Sequence, residues 1–378
     1  MKFRVSRSAL VEAVSQVSKA VSQKTTIPIL TGIKTTVDEK GLWLTGSNSD
    51  LTIQVQVPVM ADDKELVHVE IIGSVVLPGR IFGDIVRKLP GDEVEWVVDD
   101  RWITTLRSGQ AQFELKGLDP EEYPRLPQLR EDQKFTLPAE LLKSMIRQTG
   151  FAVSTSEARG VLTGVLWQLK EGILTFVATD SIRLSRRQAE VEAPADLAIE
   201  NVIVPGKSLS ELAKTLGDQE GFVDVIVSEN QIMIRTERLL FFSRLLEGTY
   251  PDTNRVIPTG GKTEIVTSTK DLLQSVDRAA LISRDGRDNV IKWTLKEEGV
   301  VEVNSAAQDV GSVVEEVAAK VSGEEMGISF NAQYMMDALK AVDSEEIRIL
   351  FTGAMTPFVI QPADREDALH LIVPIRTR

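Results

Sequence analysis

The chain has 378 residues, 42% of them hydrophobic and 26% charged, and its formal net charge is −13. This length accommodates two or three domains, and the composition is ordinary for a soluble globular protein. The sequence lacks an apolar run long enough to cross a membrane, a signal-peptide pattern and any cysteine, which excludes disulfides and thiol chemistry. We therefore expect a cytoplasmic protein with no membrane association.

The N-terminal third sets out a pattern of elements that the remainder of the chain repeats. A short alternating segment predicts a strand, and residues 6–24 predict an amphipathic helix. Several strands follow, and then a Pro-Gly-Arg tripeptide opens a second predicted helix over residues 78–90. Three short alternating segments predict strands that end at Tyr123, which is followed by proline.

The same order of elements recurs twice downstream. Further helices are predicted over residues 138–148, 205–216, 268–278 and 330–341. The Tyr-Pro pairs at Tyr123 and Tyr250 are 127 residues apart, and the two Pro-Gly-basic tripeptides have the same offset. A fixed period of this kind is the signature of an internal repeat. We predict an α+β fold of three similar tandem domains, each a strand–helix–strands unit written twice, over residues 1–130, 131–253 and 254–378.

The predicted helices are the basic part of an acidic chain. They hold 13 Lys and Arg against 7 Asp and Glu, whereas the remaining residues hold 30 against 49. If the helices shared one side, twelve of them in a circle would surround an opening of about 25 Å, which is wide enough for a double helix. Alternatively, these basic residues simply lie on helix faces that are exposed to solvent.

Patterns of catalysis or metal binding are scarce. The only histidines, His68 and His370, lie in alternating strand-like runs, and no metalloprotease or serine-hydrolase spacing occurs. The carboxylates of Asp99 and Asp100 lie between two predicted strands, where a hairpin turn is the simpler interpretation. We expect no enzyme, no metal and no cofactor.

Four segments resemble one known family closely. The stretches "TTIPILTGI", "TDSIRLS", "YPDTNRVIP" and "LIVPIRTR", together with the triplicated unit, are similar to the bacterial DNA polymerase III beta subunit, the sliding clamp. The resemblance covers the chain from end to end. It implies a head-to-tail homodimeric ring of six domains around duplex DNA, with helices inside and sheets outside. It also implies a non-catalytic processivity factor on the bacterial nucleoid.

The resemblance further implies partners and DNA contacts. The partners would be the DNA polymerase III alpha subunit, the clamp loader, and other DNA polymerases and repair proteins that bind through short hydrophobic motifs. Lys24 and Arg80 match basic positions that contact DNA without reading its sequence, and Lys207, which follows the second Pro-Gly pair, is the third candidate. Gly160 and Val161 stand where some members have two tyrosines. A protein-binding scaffold without a DNA role is the alternative function.

Two further sets of residues are candidates for protein contacts. For the dimer, we expect Phe113 and Leu115 on a strand of the first domain to meet Leu281 and Ile282, placed after a helix of the third. For a partner peptide, we expect an apolar groove with a polar rim. Its candidate residues are Leu162, Thr179, Ser181, Ile182, Arg183, Leu184, Pro251, Arg255, Val256, Leu371, Val373, Pro374, Ile375 and Arg376. Each apolar member taken alone is also consistent with an ordinary core residue.

Overall fold

The architecture is seen in a computed structural model, which describes residues 1–22, 25–217, 220–284, 289–296 and 299–376, except for the side chain of residue 132. Along these residues, a strand, a helix and a run of strands follow one another in a recurring order. No helix among them is long and apolar enough to span a membrane.

The described residues of the first third form two helices and eleven strands. The helices are α1 (Arg7–Val17) and α2 (Gly79–Lys88). The strands are β1 (Lys2–Ser6), β2 (Gly32–Asp38), β3 (Gly41–Ser47), β4 (Leu51–Pro58), β5 (Met60–Ala61), β6 (Lys64–Glu65), β7 (Val67–Ile71), β8 (Gly73–Pro78), β9 (Glu93–Val98), β10 (Ile103–Ser108) and β11 (Ala111–Lys116).

The described residues of the middle and last thirds also hold two helices each, with eight and nine strands. The middle third has α3 (Ala139–Gly150), α4 (Gly206–Leu216), β12 (Lys134–Pro138), β13 (Gly164–Lys170), β14 (Ile173–Thr179), β15 (Arg183–Glu190), β16 (Ile199–Pro205), β17 (Phe222–Val227), β18 (Gln231–Arg235) and β19 (Leu239–Arg244). The last third has α5 (Thr269–Ser283), α6 (Ala332–Ala341), β20 (Thr263–Ser268), β21 (Val290–Lys296), β22 (Val300–Ala307), β23 (Gly311–Ala318), β24 (Lys320–Gly323), β25 (Met326–Asn331), β26 (Glu346–Phe351), β27 (Phe358–Pro362) and β28 (Ala368–Ile372).

One strand–helix–three-strand unit occurs six times in the described residues, which confirms the predicted α+β fold. Within each third, the first strand of one unit pairs with the sheet of the other unit. In the first third, β1 pairs with β9, and β8 pairs with β2. The two halves of each third are therefore interlocked, because each completes the other's sheet.

The sheets continue across the predicted domain limits. One sheet has the order β12-β17-β18-β19-β4-β3-β2-β8, so that the middle third joins the first through the β19–β4 pair. Another has the order β16-β13-β14-β15-β28-β27-β26-β20-β24, which joins the middle third to the last through the β15–β28 pair. Two smaller sheets have the orders β11-β10-β9-β1-β7 and β23-β22-β21-β25, so that β11 and β23 are terminal strands in the described residues.

These shared sheets explain how the chain divides into compact units. One unit comprises residues 1–139 with 211–245, and the other comprises residues 140–210 with 246–378. Each unit contains one of the two long sheets entirely. The middle third is divided because its two sheets belong to different neighbours along the chain.

Alternating apolar residues on the strands, together with one apolar face of each helix, fill the cores. In the first third, Trp96 stacks on Phe3 and meets Phe82 edge-on, and all three side chains are fully buried. Trp167 with Phe176 and Trp293 with Phe330 form comparable buried pairs further along the chain. Aromatic pairs of this kind add about 0.5–1.5 kcal/mol to the burial of their surface.

The helix predictions are confirmed, although two boundaries differ. Helix α1 ends at Val17, followed by a 3₁₀ turn over Ser18–Ala20, whereas the sequence predicted a helix to residue 24. The Ser18 hydroxyl donates to the Val14 carbonyl at 2.6 Å, a contact that competes with regular helix bonding. Helix α5 continues to Ser283, five residues beyond its predicted end. The turn predicted after Asp99 is confirmed, because the Asp99 carboxylate accepts the Ile103 amide there.

His370 lies buried at the β15–β28 pair. Its Nδ1 is 2.9 Å from the Ser185 hydroxyl on the opposite strand, and its ring packs 5.5 Å from that of Phe151. Its Nε2 has no hydrogen-bond partner in the described residues. Burial lowers the pKa of His370 from 6.5 to about 4, because the charged imidazolium would lose its water.

This burial predicts a pH dependence of stability. The unfolded chain binds a proton at His370 below pH 6.5, whereas the folded chain does so only below about 4, so the free energy of unfolding falls as pH is lowered between these values. The loss should reach about 3 kcal/mol. We expect His370→Phe to remove this part of the pH dependence in urea unfolding. His68→Phe, at an exposed site, is the control. Equal pH slopes for the native chain and His370→Phe would contradict the prediction.

Candidate functional site

A compact apolar cluster, here called the groove cluster, contains several of the predicted groove residues. Leu184 and Leu371 are buried in it, and Leu162 and Val373 pack against it half-buried. Its buried members are Leu166, Val177, Leu184, Ile203, Tyr250, Val359, Leu369 and Leu371. The cluster follows from strand alternation, because Leu184 and Leu371 are directly opposite each other in the β15–β28 pair and therefore share one sheet face.

The turn between β14 and β15 shapes one wall of the groove cluster. The Asp180 carboxylate accepts the amides of Ile182 and Arg183 at 3.0 Å each, and the Thr179 hydroxyl accepts the Ser181 amide. Ser181 has a φ of 80°, in the left-handed region. Aspartate and threonine stabilise such turns by bonding nearby amides. As a result, Ile182 is exposed at the tip.

The C-terminal residues are fixed to the same wall. The Val373 amide donates to the Ile182 carbonyl at 2.9 Å, and the Ile375 amide donates to the Ser329 carbonyl at 2.7 Å. Pro374 between them is half-buried, and Arg376 is exposed. The segment after β28 is therefore held along the border of the cluster by these two hydrogen bonds.

Tyr250 connects the linker to the groove cluster, and this accounts for the Tyr-Pro punctuation. Its hydroxyl accepts the Thr179 amide at 3.1 Å, and burial raises its pKa to about 12. Pro251 and Val256, which follow in the linker, are exposed. Tyr123 is equally buried, and its hydroxyl is 3.4 Å from the Thr45 carbonyl. Each Tyr-Pro pair thus anchors the chain as it leaves a repeat.

The predicted rim arginines have different environments. The Arg183 side chain is only 11% exposed, and its guanidinium donates to Asp180 at 3.0 Å and to Asp337 at 2.6 Å. It also lies over the Tyr334 ring at 4.6 Å. Arg255 is 86% exposed, and its one ion pair among the described residues is with Asp252, three residues away. Arg255 is therefore accessible to a partner, whereas Arg183 holds the turn in place.

The candidate DNA residues that the structure describes are exposed. Arg80 lies in the first turn of α2 and has no ion pair within the described part of the chain. Lys207, in the first turn of α4, is 2.9 Å from the Glu157 carboxylate, and both side chains are largely exposed. Such an exposed pair contributes little energy, so Lys207 could exchange Glu157 for a phosphate. Lys24 lies outside the described residues, and its role stays a prediction.

The candidate dimer residues lie at an open sheet edge and on a helix. Phe113 and Leu115 are half-buried on the same face of β11, whose outer side has no partner strand in the described part of the chain. Leu281 and Ile282 lie within α5 and not after it, since that helix continues to Ser283. Leu281 is 59% exposed and Ile282 is half-buried.

Sequence reasoning missed a second open edge, the strand β23. It is the outermost strand of the β23-β22-β21-β25 sheet, and Val314 is exposed on it. Arg278 of α5 donates two hydrogen bonds to Glu315 of this strand, which fixes the helix against the edge. The alternation in "GSVVEEV" indicated a strand, but only the sheet order shows that one side of it has no partner strand among the described residues. No group of His, Asp and Glu suited to a metal ion occurs among the described residues.

Comparisons with known proteins agree over the full length of the chain. Three sequence profiles match: DNA polymerase III beta subunit, N-terminal domain, over 1–127; central domain, over 136–252; and C-terminal domain, over 254–376. The beta sliding clamps of Halalkalibacterium halodurans and Bacillus subtilis are 51% and 48% identical, with complete coverage of both chains. Crystal structures of the DNA polymerase sliding clamp from Bacillus subtilis and of the DNA polymerase III beta chain from Streptococcus pneumoniae superpose with TM-scores of 0.96 and 0.93, at 48% and 36% identity and complete coverage.

The contrast between the two rim arginines is testable. Arg183→Gln should lower the free energy of unfolding by about 3 kcal/mol, because it leaves two partly buried carboxylates unpaired. Arg255→Gln, at an exposed site, should change it by less than about 0.5 kcal/mol. Urea unfolding of the two variants at neutral pH measures both effects. Equal stabilities would show that Arg183 does not hold the turn.

Proposed function

Because the chain belongs to the DNA polymerase III beta subunit family, the bacterial sliding clamps, we propose that two copies close head to tail into a ring around duplex DNA. The chain is a non-catalytic processivity factor, as the family and its relatives establish. Within the ring we propose three domains per copy, over residues 1–130, 131–253 and 254–378. We also propose that the ring acts on the nucleoid in the bacterial cytoplasm.

The observation that carries the ring proposal is the repeated use of equivalent strands at sheet junctions. Two junctions within the chain follow the same rule. At each, the last strand of one third pairs with the last strand of the first unit of the preceding third: β19 pairs with β4, and β28 pairs with β15. Two strands at equivalent positions remain: β11 is the last strand of the first third, and β23 is the last strand of the first unit of the last third. Each is a terminal strand of its sheet in the described residues. Pairing β11 of one copy with β23 of another would repeat the internal junction. Applied twice, that contact closes a ring.

Equivalent positions can be assigned from a shared hydrogen bond. In each third, an amide shortly after the last strand donates to a carbonyl shortly before the second helix of the same third. The three donors are Leu118, Leu246 and Ile375. Five residues before them lie Phe113, Phe241 and His370. Phe241 and His370 are 0% and 1% exposed at their internal junctions, whereas Phe113 is half-buried.

The helix residues support the same interface. Leu281 is the thirteenth residue after its preceding strand, and Lys19 and Phe151 are its equivalents. Lys19 Nζ lies 3.5 Å from the Thr215 hydroxyl at the end of α4, and the Phe151 ring contacts His370. Both equivalents thus contact the neighbouring third. Leu281 occupies this position with its side chain exposed, as expected of a residue that meets a second copy.

The dimer proposal is tested by combining Phe113→Ala with Leu281→Ala. We expect a folded monomer in sedimentation, because the substitutions remove the apolar side chains from both sides of the contact. Phe222→Ala is the matched control, since Phe222 is exposed on β17, which belongs to neither the β11 sheet nor the β23 sheet. A double variant with the mass of the native dimer would contradict the assignment.

DNA contact is proposed for Lys24, Arg80 and Lys207, through phosphates and without base reading. The exposed basic residues of the helices support this, among them Lys88, Lys270 and Lys340, which have no ion pair in the described part of the chain. The negative charge of the remaining chain would repel DNA from other surfaces. Because the duplex would be encircled and held only loosely, the ring would be free to slide along it.

The DNA proposal predicts a small and sequence-independent effect. Arg80→Gln and Lys207→Gln should each weaken binding to duplexes of any sequence and reduce the salt slope by about 1. Lys40→Gln, in the turn after β2, is the control for loss of one charge. Fluorescence anisotropy over a salt series measures the slopes. A loss confined to one DNA sequence, or an equal loss in the control, would contradict the proposal.

The groove cluster is proposed as the binding site for short hydrophobic motifs of the DNA polymerase III alpha subunit, the clamp loader, and other DNA polymerases and repair proteins. Support comes from its apolar floor, its exposed edge residues Ile182 and Val256, and the polar Arg255 and Arg376. Pockets of this composition suit apolar anchors with oriented polar contacts.

Truncation after Ile372 tests the groove. It removes Val373 to Arg378 while leaving β28 complete. Binding of a labelled leucine-rich peptide should fall at least about tenfold, because one wall of the groove is lost. Dimer mass should not change, since neither β11 nor β23 is altered. Unchanged peptide affinity would place the partner site elsewhere.

A further inference from the structure

Arg186 lies next to the groove cluster but has no role in the site described above. It is two residues beyond Leu184 on β15, and its cross-strand neighbours are Val177 on β14 and Leu369 on β28. Both neighbours are buried members of the groove cluster. Because directly opposite residues in antiparallel strands share a face, the Arg186 side chain projects on the same side as the cluster.

Arg186 is a half-buried cation without a partner. In the described part of the chain, no carboxylate or other acceptor contacts its guanidinium, unlike the two arginines that flank it on the other face of β15. Arg183 pairs with Asp180 and Asp337, and Arg187 pairs with Asp367. Burial lowers the pKa of Arg186, and no charged neighbour opposes this effect.

An unpaired buried charge is costly for a protein to keep. A guanidinium that has lost part of its hydration is destabilising unless an anion or several acceptors replace the water. Arg186 is not completely enclosed, so a ligand can reach it. A cation in this condition beside an apolar binding surface is a candidate recognition group.

We propose that the groove takes a peptide bearing a carboxylate side chain beside its apolar anchors, and that Arg186 binds this carboxylate. The inference rests on the proposed peptide site and adds a chemical requirement to its ligand. Two residues along a strand span about 7 Å, so the acidic residue would lie one or two positions from an anchor that contacts Leu184. A planar guanidinium can bind a carboxylate through two hydrogen bonds.

The test uses full-length protein and labelled nine-residue peptides. Each peptide carries two leucines two positions apart and, at one flanking position at a time, either aspartate or asparagine. At the favoured position, the aspartate peptide should bind about tenfold more tightly than its asparagine partner, as expected for charged hydrogen bonds. In Arg186→Gln this ratio should fall to within about twofold, whereas Arg186→Lys should keep part of it. Lys170→Gln, an exposed change on β13, should leave the ratio unaltered.

Thermal unfolding separates recognition from a structural role. Since Arg186 has no internal partner, Arg186→Gln should unfold at the native temperature or above it. A clear loss of stability would indicate a structural role and overturn the inference.

The remaining outcomes distinguish the inference from the groove proposal. If the peptides bind but aspartate gives no advantage, or the advantage survives in Arg186→Gln, only the inference fails. If no peptide binds, the groove proposal fails and the inference with it. If Arg186→Gln instead weakens binding of a single-stranded oligonucleotide and spares the aspartate preference, Arg186 serves nucleic acid and the inference is overturned.

Discussion

The pairing of one sheet edge with another is the constraint on which the architecture depends. An exposed strand edge presents unpaired amides and carbonyls, which are a template for pairing with another chain. This chain pairs two such edges internally, by β19–β4 and β28–β15, whereas the equivalent strands β11 and β23 are terminal strands of their sheets in the described residues. A head-to-tail contact must close into a ring or extend into filaments, so repetition of the internal geometry favours closure with few copies.

The same junctions position the functional surfaces. The β15–β28 pair brings Leu184 opposite Leu371, and so creates an apolar surface from segments far apart in sequence. The opposite face of the pair holds Arg183, Arg187 and His370 in buried polar contacts. One strand pair therefore joins two thirds of the chain on one face and carries the proposed peptide-binding surface on the other. Arg186 is the exception, because it is polar and yet lies on the apolar face.

Much of the fold could be predicted from the sequence, because helical and strand periodicities are local signals. The six helices, the triplication and the turn at Asp99 follow from them. The helix end at Ser283 could not be predicted, because the polar Arg278 is typical of a helix end, whereas in the structure its guanidinium binds Glu315 of β23 and the helix continues. The open edges and the isolation of Arg186 depend on long-range strand order. No local pattern contains that information, as the adjacent Arg186 and Arg187 illustrate.

We propose that β11 of one copy pairs with β23 of another to give a closed ring. The chain has no cysteine, so Gln112→Cys with Val314→Cys places a single thiol on each open edge. Opposed residues of paired strands lie close enough for a disulfide. After oxidation in dilute solution, a non-reducing gel should show a covalent species of two chains and no larger products. A ladder of higher oligomers, or uncrosslinked chains alone, would contradict the account.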